Sequence, residues 1–125
     1  MIDFDRFIIE DGSPIYWQII LYLKRGAVAG SVQDGDELPS RRVLSARLGV
    51  NPNTVQKAYR MLEEEGMIVS HTGAKSYVSL TPARIAAIRD ELLASDARTL
   101  IAAMRQMGLD RTEAFALIDK YWEES

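Results

Sequence analysis

Cysteine is absent from this chain, and histidine occurs once, at position 71. Without thiols there can be no disulfide framework and no thiolate metal site. No Cys–His or Ser–His–Asp constellation, no glycine-rich phosphate cradle and no histidine–carboxylate cluster can be traced either. The expectation is therefore a protein that is not an enzyme and needs no cofactor or metal. Long hydrophobic runs are also missing: the longest, IILYL at 19–23, is far too short to span a bilayer. The opening MIDFDRF is acidic where a secretory signal would be basic. A soluble cytoplasmic protein with no membrane partner is expected.

What is present suffices for a folded domain. The 125 residues are 47% hydrophobic, enough for one domain, or for a small domain with an appendage. Net charge is −3, which speaks weakly against a polyanionic partner, but the distribution is uneven. Between Lys24 and Arg60 lie seven cations and three anions, a local excess of +4, so the remainder carries −7. A basic middle between acidic flanks is the pattern of a localised footprint on nucleic acid.

The most sharply delimited stretch lies in that middle, NPNTVQKAYRMLEEEG from Asn51 to Gly66. Asn51 is a good N-cap, Pro52 suits a first helical position, and Gly66 sits where a left-handed residue ends a helix. Val55, Ala58, Tyr59 and Leu62 recur at helical spacing and form the face to be buried. Asn53, Thr54, Gln56, Lys57 and Arg60 are left outward. Amides there can pair with adenine edges, and the cations can meet phosphates. The acidic run Glu63 to Glu65 reads as a solvated face, one that keeps its own end of the helix away from phosphates.

Around this helix the chain falls into order. Residues 1–12 read as an arm. Ser13 and Pro14 look like the cap and first residue of an amphipathic helix, with Ile15, Ile19, Leu23 and Ala27 every four residues up to Gly30. Asp34-Gly35 marks a turn and Leu38-Pro39 a short extended piece. Ser40 then caps a helix from Arg41 to about Leu48, with Val43, Leu44 and Leu48 inward. Two short helices joined by a glycine-containing turn form a helix-turn-helix, whose second helix enters the major groove. After Gly66, MIVSH and SYVSL flank TGAK and predict a hairpin, the wing of a winged helix, with Lys75 near its tip and His71 on its surface. From Thr81 and Pro82 a long helical pattern runs to Gly108, with a four-three spacing at 93, 97, 100, 104 and 107 and a break suggested near Ser95-Asp96. Asp110 and Glu113 then start a last helix. The predicted fold is mainly α with a small β-hairpin wing: a winged helix-turn-helix over 1–79, followed by a C-terminal αα-hairpin over 80–125.

PIYWQIILYLKRGAVAG, GDELPSRRVLSARLGVNPNTVQKAYRMLEEEGMI and GAKSYV together resemble the N-terminal winged helix-turn-helix of GntR-family bacterial transcription regulators. The resemblance covers about Pro14 to Val78. Leu38-Pro39-Ser40 with Arg42, Leu48-Gly49-Val50, Asn53-Thr54-Val55 and the LEEEG helix end stand in family order and spacing. The short helical tail looks like that of the YtrA-type subgroup, in which it dimerises the protein. Pro52 and Gln56 replace arginines that many members carry, and the wing has Ala74 and Lys75 where a basic residue and a second glycine are usual.

The resemblance implies a DNA-binding transcriptional regulator, a repressor of nearby genes, in which Arg42 and the first turns of the central helix touch the operator. The expected DNA-facing residues are Ser40, Arg41, Arg42, Asn51, Asn53, Thr54, Gln56, Lys57, Arg60, Thr72, Gly73 and Lys75. The expected partners are double-stranded operator DNA with an inverted repeat, and a second copy of the chain. The second copy would be held through Leu92, Leu93, Leu100, Ile101, Met104, Met107, Phe115, Ile118 and Trp122. With no separate sensing domain, a small-molecule effector would have to bind near aromatics such as Tyr16, Trp17 and Trp122. The rival to DNA binding is a winged-helix module that binds protein, for which the basic middle would be superfluous.

Overall fold

Residues 1–71 and 75–125 are described by the computed structural model, with elements in the order α1 (Ile15–Ala29), β1 (Glu37–Leu38), α2 (Arg41–Leu48), α3 (Pro52–Glu64), β2 (Ile68–His71), β3 (Lys75–Val78), α4 (Pro82–Gln106) and α5 (Arg111–Trp122). The chain forms two compact units, Met1–Arg89 and Asp90–Ser125. Among the described residues, no helix is long and apolar enough to cross a membrane.

In the first unit, α3 is the central element. Its Asn51 cap accepts from the Asn53 N–H at 2.8 Å, and Pro52 occupies the first turn. Val55, Ala58, Tyr59 and Leu62 are fully buried against α1 and α2, as their spacing predicts. Each of the larger aliphatic side chains in that stripe contributes about 1.5–3 kcal/mol by leaving water. The Tyr59 hydroxyl stays satisfied in this core by donating to the Pro39 carbonyl at 2.8 Å. Ser40 caps α2 by accepting from the Val43 N–H at 3.1 Å, and Gly49, at φ +68°, makes the turn into α3. The antiparallel sheet has the order β1-β3-β2, with Leu38 opposite Ser76 and Ile68 opposite Val78. The extended piece at Leu38 is thus the third strand of the sheet behind the wing.

Four local expectations need correction. Helix α1 starts at Ile15, with Pro14 as its extended cap residue; the Ser13 side chain makes no cap, and the Gln18 amide instead donates to the Glu10 and Ser13 carbonyls. Val43 is 54% exposed, because the side of α2 that meets α3 carries Leu44 and Ser45. Residues 1–12 are not a free arm. Ile2 and Phe4 are buried, the Ile2 N–H donates to the Glu37 carbonyl at 2.8 Å, and Phe4 and Phe7 cluster with Tyr22, whose hydroxyl donates to the Asp3 carbonyl. Finally, α4 is unbroken through Ser95-Asp96.

The first unit includes the start of α4. Leu80 and Ile88 are buried, the Leu80 N–H donates to Asp34 Oδ1 at 2.8 Å, and Thr81 Oγ1 caps by accepting from the Arg84 N–H at 3.1 Å. In the second unit, Asp110 and Glu113 form a reciprocal capping box at the start of α5. Here α4 and α5 leave between them a cleft of about 670 Å³, lined by Leu100, Ile101, Met104, Phe115 and Ile118 among others. Of these only Met104 is buried. Leu100, Ile101 and Phe115 remain 48–53% exposed.

Candidate nucleic-acid interface

Helix α3 presents its polar side outward because its apolar stripe is used up against α1 and α2. Asn53, Gln56, Lys57 and Arg60 are exposed and Thr54 is half-buried. Arg42, in the first turn of α2, is exposed as well, and its backbone carbonyl accepts from the Ser45 hydroxyl at 3.0 Å. Amide and cationic donors from two consecutive helices therefore lie on the exposed surface.

Several of these side chains are held by neighbours. Lys57 Nζ sits 4.0 Å from the centre of the Tyr16 ring, a cation–π contact between α3 and the first turn of α1. Arg60 Nε lies 4.0 Å from Glu64 one turn on, and Lys75 Nζ lies 3.8 Å from half-buried Glu37, both long pairs with an exposed cation and of small energetic weight. The side-chain oxygens of Ser40 and Asn51 serve first as helix caps, so any further contact falls to the Ser40 proton and the Asn51 amide nitrogen. Thr72 and Gly73 lie outside the described residues.

Arg41 departs from the expectation. It is half-buried, with Nη2 2.8 Å from Glu63 Oε1 and its guanidinium carbon 5.2 Å above the Tyr59 ring, and its Nε has no hydrogen-bond partner among the described residues. The neighbouring Arg42 has the solvent. Burial pushes the Tyr59 phenol far above its ordinary value of 10.0, against a smaller opposing pull from Arg41.

The acidic helix end is more than a solvated run. Glu63 accepts from Arg41 and from the Ser70 hydroxyl, whose oxygen lies 3.1 Å from that of buried Ser76. Glu65 accepts at 3.0 Å from Lys24, a side chain that buries its stem in the core and brings its ammonium out to the carboxylate. The run thus ties α2, α1 and the wing strands to α3. Sequence reasoning also missed Tyr16 beneath Lys57 and Asp5 paired with Arg47. No spacing rule connects positions more than forty residues apart.

Among the expected dimer residues, Leu93, Leu100, Ile101, Met107, Phe115, Ile118 and Trp122 are exposed, from 37% for Ile118 to 75% for Trp122, and Leu92 is half-buried. Met104 is the correction: it is 5% exposed and already filled in by its own chain at the base of the cleft, beside the turn in which the Leu109 N–H donates to its carbonyl.

A helix-turn-helix whose second helix carries an outward row of amides and cations, followed at once by a two-stranded hairpin, defines a winged helix-turn-helix of the DNA-binding class. Residues 15–78 match the family described as "Bacterial regulatory proteins, gntR family". The chain belongs to this family of transcription regulators. It is 44% identical over 70 residues to the HTH-type transcriptional repressor YtrA of Bacillus subtilis, a match spanning 56% of this chain and 54% of that relative, about half its length. Two solved structures are similar over more of the chain. A GntR-family transcriptional regulator from Listeria monocytogenes aligns with TM-score 0.79 at 32% identity, covering 90% of this chain and 98% of the other. YtrA from Sulfolobus acidocaldarius, a GntR-family transcription factor, aligns with TM-score 0.57 at 35% identity over 76% of this chain and 95% of the other.

Proposed function

We propose that the protein binds operator DNA sequence-specifically as a homodimer, in the cytoplasm, and represses transcription from the sites it occupies. The observation that carries this is the exposed donor row of α3 beside Arg42, set over a fully buried apolar stripe that keeps the helix rigid. Arg42 takes the role of guanine reader, with two parallel donors for O6 and N7. Asn53 and Gln56 read adenine edges. Lys57, Arg60 and Lys75 meet phosphates.

The proposed dimer forms through the second unit, whose cleft between α4 and α5 exposes Leu100, Ile101, Phe115 and Ile118 to water in a single copy. Surface of this kind is costly to leave uncovered, and a second copy supplies matching apolar side chains. Two-fold symmetry then favours an inverted repeat, and tethering two weak half-site contacts raises avidity without adding contacts. An effector, where one exists, would act from the tail or from the aromatic surface at Tyr16 and Trp17.

The test is selection of bound sequences from random duplex DNA with the full-length protein. A two-fold symmetric consensus is expected. Recovery of no enriched sequence, or of an asymmetric single site, would remove the operator assignment or the dimer respectively.

A further inference from the structure

A lysine side chain is long and flexible, and an ammonium that meets a phosphate ordinarily loses that freedom on binding. Lys57 has given up part of it beforehand. Its Nζ lies 4.0 Å from the centre of the Tyr16 ring, within the range in which the negative face of an aromatic ring attracts a cation. The ring has a fixed seat. Tyr16 is half-buried in the first turn of α1, a helix that packs on α3 and whose Ile19 and Ile20 are buried. Gln18 locks that turn to the segment before it: its amide nitrogen donates to the Glu10 and Ser13 carbonyls at 2.8 and 2.9 Å, and its amide oxygen accepts from the Glu10 N–H at 2.9 Å. On α3, exposed Lys57 is followed at once by the buried pair Ala58 and Tyr59, so its backbone is held as firmly. Both residues belong to the first compact unit.

The kind of neighbour matters as much as its position. Arg60 and Lys75 face carboxylates, Glu64 at 4.0 Å and Glu37 at 3.8 Å, which a phosphate has to outcompete. A ring face is no such competitor, because an ammonium resting on it keeps its full charge and has N–H groups left to donate elsewhere. We propose that Tyr16 is a positioning residue, one that holds the Lys57 ammonium in place for a DNA phosphate without touching the DNA itself. The proposal rests on the reading of Lys57 as a phosphate contact given above. It brings α1 into DNA binding through a single side chain.

The experiment titrates the full-length protein on cognate and random duplexes at several salt concentrations, with Tyr16→Leu, Tyr16→Phe, Lys57→Ala and the double variant Tyr16→Leu/Lys57→Ala. Thermal unfolding reports the fold. Tyr16→Leu keeps apolar bulk but removes the ring face, and should weaken binding to both duplexes by about two- to fivefold without changing sequence preference. In the Lys57→Ala background the same substitution should change nothing, because the group it positions is gone. Tyr16→Phe should bind like the wild type. A loss in Tyr16→Leu that persists undiminished beside Lys57→Ala overturns the proposal, since it would mark a general structural role. So does a loss in Tyr16→Phe equal to that in Tyr16→Leu, which would make the hydroxyl itself the DNA contact. Should Tyr16→Leu not fold, replacing Tyr16 by phenylalanines of increasing ring fluorination weakens the negative face with little change of shape. Affinity should then fall stepwise with each fluorine, and a flat series overturns the proposal. Lys57→Ala that binds both duplexes as tightly as the wild type removes the phosphate contact and this proposal together, whereas a weakened Lys57→Ala beside an unaffected Tyr16→Leu removes only the proposal.

Discussion

At the scale of single residues, adjacent arginines have opposite fates. Arg42 is open to solvent, whereas Arg41 is spent on Glu63 and Tyr59. Replacing Arg42 with alanine should therefore cost about 1–3 kcal/mol on the cognate site and relax base preference there. Lys57→Ala should weaken all sequences alike and flatten the salt dependence by about one unit of slope. Titrations on cognate and random duplexes at several salt concentrations separate the two, and equal losses on both duplexes for Arg42→Ala would exclude it as a base reader. Tyr59 carries a pH prediction. Its phenol is raised by burial, so the folded state favours the neutral form; that stability is complete below the ordinary value of 10.0 and is lost as pH rises beyond it. Denaturation midpoints should fall for the wild type from about pH 10 upward. Tyr59→Phe should show a smaller alkaline fall, the part left being carried by Tyr22, whose phenol is also raised by burial, at a cost of about 1–3 kcal/mol at neutral pH for leaving the Pro39 carbonyl unpaired.

At the scale of elements, what could be read in advance follows from how local the deciding interaction is. The ends of α3 depend on contacts two or three residues long, Asn51 to Asn53 and Gly66 to Glu63, and these are legible. The same locality predicts that Asn51→Ala costs about 0.5–2 kcal/mol of stability, measurable by denaturant titration, and weakens DNA binding beyond that by loosening the first turn. Helix α2 was less legible. It is eight residues long, too short for its apolar positions to define one face, and contact with α3 decides that Ser45 goes in and Val43 stays out. The N-terminal segment was misread for a related reason: its alternation of Ile2 and Phe4 is only two residues deep, and the partners that bury it, Glu37 and Tyr22, are distant in sequence.

At the scale of the whole molecule, the proposed division of labour predicts the outcome of a cut. The first compact unit runs to Arg89, with Ile88 buried in it, so truncation belongs after Arg89. The expected product is a folded monomer, seen by sedimentation, that binds a symmetric site weakly and without cooperativity. A truncated chain that dimerised and bound as tightly as the full protein would sink the assignment of the tail. By itself the sequence determined the element order, the caps and the buried stripe of α3, because these follow from backbone geometry and from periodicity within a few residues. It also marked the outward amides and cations, since the complement of a buried helical face is known once that face is known. Only the tertiary structure decided which charges remain available. Arg41 is matched with Glu63, 22 residues away, and Lys24 with Glu65, 41 residues away, and such pairings depend on where the folded chain brings its surfaces together.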